Sequence, residues 1–389
     1  MGAGGGLLLG SRVLGAGPLA GLGIAAGLML AAAAGWVATR HPRLAMSRSV
    51  HPGRLHVGSE GRVVLAGTAV TRTPLLTLIE RIDDGRRAAR FLVPPHPARS
   101  DVHAAYRFPT AHRGRHVVGP LLATVSDPLG LVRRSFVVVA ATDVVVCPRV
   151  HDVTPPLRGG GGEPAAHAEG ARAPALEPLG EFLGLRPYEA GDDPRRVHWR
   201  ATARTGELVV RQDEAASPGR VVLLLDTRPD AYDEASFETA VEVIASLAVR
   251  LRRDHAPAEV LTTSGDVLGR PGPGAVEILL ERLAVVEPGG LDHVAAVVAR
   301  LRDRLGIGSV VAATGALDLE LAEALGLLRA RKLVTVVTTR APQGMQPRAA
   351  FPVIDVSSTG FPGGWNAVAN HHSRRWNAAT SLSPLRSAR

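Results

Sequence analysis

The chain has 389 residues, 46% of them hydrophobic, which supplies two ordinary domains with cores and excludes disorder along its whole length. Its 45 basic residues against 36 acidic ones give a net charge of +9, and all of the Lys/Arg positions but Lys332 are arginine. These arginines are spread through every segment instead of forming one basic stripe, so no nucleic-acid partner is expected. The single cysteine, Cys147, excludes an intramolecular disulfide and a cysteine-built zinc site, and in the apolar run VVVCP it reads as a small core residue.

Residues 1–16 form an N-terminal segment in which GGGLLLG (4–10) is too short to span a membrane alone; as the trace of a first helix it would make the anchor a truncated hairpin. Residues 17–39, GPLAGLGIAAGLMLAAAAGWVAT, carry no charge and are long enough as a helix to cross a hydrocarbon layer of roughly 30 Å. Trp36 stands at one end, where an interfacial aromatic belongs, and Arg40, His41, Arg43 and Arg48 follow. The positive-inside rule then puts the rest of the chain in the cytoplasm, anchored to the cell membrane. A cleaved signal peptide would want a shorter apolar core and a positive start, and only Arg12 precedes this stretch.

From 48 to 150 short apolar runs alternate with turn residues: RLHV, GRVVLAGTAV, LTLIERI, RFLVP, VHAAYRF, HVVGPLLATV and SFVVVAATDVVVCP. Their period of two predicts an all-β sandwich of immunoglobulin-like kind. The Gly/Pro/Ala-rich tract at 158–178 cannot build a core and reads as a linker. Over 218–358 near-continuous apolar strands alternate with amphipathic helices, which predicts a doubly wound α/β domain with its ligand position at the C-terminal ends of the strands. Residues 359–389 form a polar tail containing His371 and His372, whose default place is a solvated surface. The Trp-Asn-Ala repeats at 365 and 376 place tryptophans that dock on their own domain more often than on a partner.

The densest polar segment is 181–214, EFLGLRPYEAGDDPRRVHWRATARTGELVVRQDE. Two adjacent carboxylates after a glycine, with Arg186, Arg195, Arg196, Arg200 and Arg204 around them, can form guanidinium–carboxylate bonds that clamp a partner or dock the segment on its own chain. In the structural version Tyr188 and Trp199 are buried anchors. A hydrolase would use Asp192, Asp193 and His198 as ligands, a weak pattern by itself. At the end of the first α/β strand stands Asp226-Thr227-Arg228-Pro229-Asp230, where Arg228 is expected to pair with Asp226 or Asp230. No G-x-x-x-x-G-K-[ST] phosphate loop and no G-x-S-x-G elbow occurs, so neither an ATPase nor a serine hydrolase is expected.

Segment 181–214 closely resembles the signature of the domain of unknown function 58 family, through Arg186, Tyr188, Gly191, Asp192, Asp193, Arg195, Arg196, Trp199, Ala203, Arg204, Gly206 and Leu208. Upstream, Arg115, Gly119, Pro120 and the run Asp127 to Leu131 resemble the family's β region. The resemblance implies that the α/β domain is of von Willebrand factor A type. Metal-binding members of that fold carry Asp-x-Ser-x-Ser after the first strand. Here Arg228 and Asp230 replace the serines, and a guanidinium where a hard, oxygen-ligated cation would sit argues against a metal. The resemblance further implies a non-catalytic scaffold or adaptor, without cofactor, working beside a MoxR-type AAA+ ATPase in the assembly of a protein complex. The competing expectations are a metal-dependent adhesion module and a hydrolase built on Gly191-Asp192-Asp193.

Overall fold

The computed structural model describes residues 17–83, 85–156, 182–189, 197–213, 219–233, 235–289, 293–341, 347 and 349–368. They form two compact units, divided between Cys147 and Pro148.

The first unit opens with helix α1 (Gly17–Ala38), which is long and apolar enough over Gly21–Ala38 to cross a membrane. Leu22, Ile24, Leu28 and Met29 point outward, so most of the helix surface needs apolar surroundings. Near its end Ala33 and Val37 are buried, and the Arg40 guanidinium lies 4.9 Å from the centre of the Trp36 ring.

Nine strands follow: β1 (Leu44–His51), β2 (Leu55–His56), β3 (Gly61–Ala69), β4 (Leu76–Ile82), β5 (Arg87–Val93), β6 (Ser100–Phe108), β7 (Gly114–Ser126), β8 (Arg133–Val139) and β9 (Thr142–Cys147). One sheet has the order β1-β3-β6 and the other β2-β9-β7-β4-β5, with β8 also paired to β7. Alternation brings Val63 and Leu65 of β3, Leu76 and Leu78 of β4, and Leu121 and Ala123 of β7 into one buried core. Cys147 is buried, as expected of a small core residue.

Strand β1 had no counterpart among the predicted strands, and it corrects the reading of Arg48. This arginine is not part of a basic membrane flank. Its side chain is 4% exposed, its Nε donates to Glu80 Oε1 over 2.8 Å, and Glu80 is fully buried. Nη2 also donates to Glu80 Oε1, and Nη1 donates to the Ala140 carbonyl and Thr142 Oγ1, each at 3.0 Å. Gly119, at φ +97°, leaves the space the guanidinium occupies. Tyr106 lies beside this pair, and burial, followed by the neighbouring Glu80 carboxylate, pushes its phenol far above the usual range.

In the second unit a two-stranded antiparallel element, β10 (Phe182–Pro187) and β11 (Val209–Asp213), encloses the short helix α2 (Trp199–Thr205). The main sheet has the order β14-β13-β12-β15-β16-β17, with β12 (Arg220–Leu225), β13 (Ala258–Thr262), β14 (Val267–Gly269), β15 (Ile307–Thr314), β16 (Leu333–Thr338) and β17 (Val353–Asp355). All neighbours are parallel except the β13–β14 hairpin, whose three-residue edge strand had no sequence signal. Helices α3 (Ser236–Arg253) and α4 (Ala275–Val285) pack with each other, and α3 contacts β12, β13 and β15. Helices α5 (Val294–Asp303) and α6 (Leu319–Gly326) share a core with Val222 and Leu224 of β12, which alternation puts on the opposite face from Leu223 and Leu225. Layers on both faces explain why β12 and β15 are buried along almost their whole length.

A further helical stretch over 361–368 docks on the same unit. Trp365 is 2% exposed and its indole N–H donates to the Thr154 carbonyl over 2.7 Å, while Thr154 N donates to Asn366 Oδ1 over 2.8 Å. The tail therefore begins as ordered structure, and Trp365 docks on its own unit as expected. The linker at 158–178, Trp376, His371 and His372 lie outside the described residues.

Candidate functional site

Strand β12 is the first of the main sheet, and the chain places β13 on one side of it and β15 on the other. A doubly wound sheet opens a crevice at such a reversal, beyond the C-terminal ends of the strands. Asp226 follows β12 directly and is 1% exposed; Thr263 follows β13 and Thr314 ends β15, both buried. Asp226 N donates to the Ala313 carbonyl over 2.9 Å, and the Tyr232 hydroxyl donates to the Asp226 carbonyl over 2.6 Å.

Both carboxylate oxygens of Asp226 are taken by protein donors. Thr314 Oγ1 donates to Oδ2 over 2.8 Å, and Thr263 Oγ1 and the Arg228 backbone N–H donate to Oδ1, each over 3.1 Å. The Arg228 side chain adds a bidentate pair, Nε to Oδ1 at 3.1 Å and Nη2 to Oδ2 at 3.0 Å. Its Nη1 reaches outward to Asp318 Oδ2 at 2.7 Å, with Glu320 Oε2 at 4.0 Å. Asp318 Oδ1 in turn accepts from Leu321 N over 2.8 Å and caps α6. Burial works against the Arg228 charge, but the hydrogen bond and charge of Asp226, followed by those of Asp318, hold its pKa above arginine's usual value. Burial first, then the Asp226 charge, pushes the Tyr232 phenol well up. Gly315 is required here: a Cβ would collide with the Ala231 carbonyl of the turn Pro229–Ala231.

Of the three residues predicted at this strand end, the structure joins Asp226 and Arg228. Asp230 stands apart on the exposed turn and accepts no bond from Arg228. Thr263 and Asp318 were not foreseen. Each is polar and follows an apolar strand, but they meet Asp226 and Arg228 across 37 and 90 residues of chain.

The signature segment is open by contrast. Arg186 and Pro187 of β10 pair with Val210 and Val209 of β11, and Tyr188 N donates to the Leu208 carbonyl over 2.8 Å. The His198 ring Nδ1 accepts from Ala201 N at 3.1 Å and caps α2, whose other end closes on Gly206 in the left-handed conformation at φ 75°. Trp199 is the first residue of this helix and is 67% exposed; Arg204 and Leu208 are exposed and Tyr188 is half-buried. The expectation of Trp199 as a buried anchor is therefore wrong. A seven-residue helix with no buried residue has no room to sink an indole, because Val197, Val209 and Val210 supply the packing instead. Gly191, Asp192, Asp193, Arg195 and Arg196 lie outside the described residues.

These features define a protein with an apolar N-terminal helix, a β-rich unit and a parallel α/β unit whose strand-end aspartate is neutralised from within. Residues 184–348 match the model of a family described as protein of unknown function DUF58, which supports that family for this region. No curated protein matches the chain. Some solved structures show distant likeness to parts of the chain. A CARDB domain from Pyrococcus furiosus, solved in complex with di-metal ions, is 15% identical with a TM-score of 0.21 over 27% of this chain and 88% of that one. The alkylpurine DNA glycosylase AlkC of Pseudomonas fluorescens, bound to DNA with an abasic site analog, is 15% identical with a TM-score of 0.18 over 26% of this chain and 30% of that one.

Proposed function

We propose that the protein is a membrane-anchored, non-catalytic adaptor, with an immunoglobulin-like sandwich as spacer and a von Willebrand factor A-like unit as the body that carries its docking element. The partner is a MoxR-type AAA+ ATPase acting in the assembly of a protein complex, on the cytoplasmic side where Arg40 and Arg43 follow α1. The observation that carries the reading is Trp199: a large indole held outward on a capped helix, with Leu185 and Leu208 also exposed, has the composition of an interface anchor. The same element carries the exposed Arg204 and the half-exposed Arg186, charged residues of the kind that form a polar rim. At the strand ends, the Arg228 guanidinium neutralises Asp226 in the manner a cation would, which favours this reading over a metal-dependent adhesion module.

The test is a crosslinking pull-down from membranes of the native host with the tagged full-length chain and a Trp199→Ala/Arg204→Ala variant. Recovery of a MoxR-type ATPase by the wild type and its loss from the variant supports the docking role. Equal recovery by both moves the interface away from the signature, and no ATPase in either removes the partnership.

A further inference from the structure

Between helix α5 and the β13–β14 hairpin, away from the Asp226 site, lies a cavity of about 380 Å³. Its apolar lining comes from Leu261 and Val267 of the hairpin and Val297 and Leu301 of α5. Around this floor three arginines, Arg270, Arg300 and Arg304, stand against two carboxylates, Glu259 and Asp303. Glu259, 3% exposed at the side chain, is already neutralised by Arg304 at 2.8 Å with Arg220 at 3.6 Å, and Asp303 is held by Arg302 at 3.0 Å. Arg270 and Arg300 also line the cavity, are exposed, and form no ion pair among the described residues. A concave site with an apolar floor and two uncommitted guanidinium forks selects a ligand with an apolar body and an anionic head.

We infer that this cavity binds a small amphipathic anion, a carboxylate or phosphate on a compact apolar body, with Arg270 and Arg300 holding the head and Val297 and Leu301 packing the body. The site is separate from the proposed docking element and stands or falls without it. Neither head group alone nor body alone satisfies it: a bare anion leaves the floor wet, and a neutral molecule leaves the arginines unpaired.

The full chain in nanodiscs is titrated calorimetrically with 3-phenylpropionate, with 3-phenylpropanol and with inorganic phosphate, and empty nanodiscs serve as reference. The expected result is saturable binding of 3-phenylpropionate, at least tenfold tighter than either control and at least tenfold weaker in Arg270→Gln and Arg300→Gln. Absence of saturable binding, equal affinity for 3-phenylpropanol or inorganic phosphate, or unchanged affinity in both variants would overturn the assignment. Should a variant fail to fold, the wild-type melting midpoint decides: it rises with 3-phenylpropionate and not with 3-phenylpropanol if the site is real, and moves with neither or both if it is not.

Discussion

Two arginine–carboxylate pairs, one in each unit, use the same chemistry in different places. Arg48 and Glu80 join strands of the two β-sheets, with side chains 4% and 0% exposed. Arg228 and Asp226 stand at the strand ends of the parallel sheet, 13% and 2% exposed, and Arg228 keeps one arm turned outward to the half-exposed Asp318. Burial alone does not separate a structural pair from a candidate site. The separation comes from topology: the first pair is enclosed by a core, whereas the second occupies the crevice where a doubly wound sheet leaves room for a ligand.

The largest expected effect belongs to the enclosed pair. Arg48→Met leaves Glu80 charged, dry and unpaired, which should cost about 5 kcal/mol, the upper range for a broken buried pair. Hydrogen–deuterium exchange should locate the lost protection in strands β1 to β9, and normal protection there would refute the pair's structural role. Arg228→Ser should cost less, roughly 3 kcal/mol, because water and Asp318 adjoin the site. It also sharpens the comparison. If the guanidinium does a cation's work, millimolar Mg²⁺ should raise the melting midpoint of Arg228→Ser and leave the wild type unmoved. A wild-type midpoint that falls with EDTA would show that Arg228 does not fill the role.

A third arginine-bearing region turns outward, and there stability and function should come apart. Trp199→Ala is expected to cost less than about 1 kcal/mol, as for an exposed position, while reducing partner recovery at least tenfold. A loss of several kcal/mol in thermal or denaturant unfolding would instead return the indole to a packing role.

Much of this was legible beforehand. Period-two runs located most of the β-strands, near-continuous apolar runs located β12, β13, β15 and β16, and the lost serines drew attention to Arg228 beside Asp226. The illegible parts depend on contacts between distant segments. LAMSRSVH alternates weakly and follows an apolar helix, so Arg48 reads as a flank charge until β4 brings Glu80 against it. Thr263 and Asp318 carry no motif and acquire meaning only once three strands end together. Trp199 misled in the opposite direction: residue type predicts burial, but α2 is too short to supply a core.

The smallest effect tests the comparison from outside, on a carboxylate stabilised without any arginine. In the turn after β7, Asp127 Oδ1 accepts from Val132 N at 2.6 Å and Oδ2 from Leu129 N at 2.9 Å. The Val132 N–H, outweighing the opposing pull of burial and joined by Leu129, holds the Asp127 carboxyl below its usual pKa. A depressed folded pKa means that the contribution is fully present above the unfolded value of about 3.9 and disappears as pH falls through the folded value. Amide protection at Val132 should therefore be constant from neutral pH down to that range and then collapse. Asp127→Asn should lower it at neutral pH and remove the acid transition. An acid transition of Val132 that persists in Asp127→Asn would assign it to another group. Its disappearance would mean that backbone N–H groups alone can do at a turn what Arg48 does in the core and Arg228 does at the strand ends.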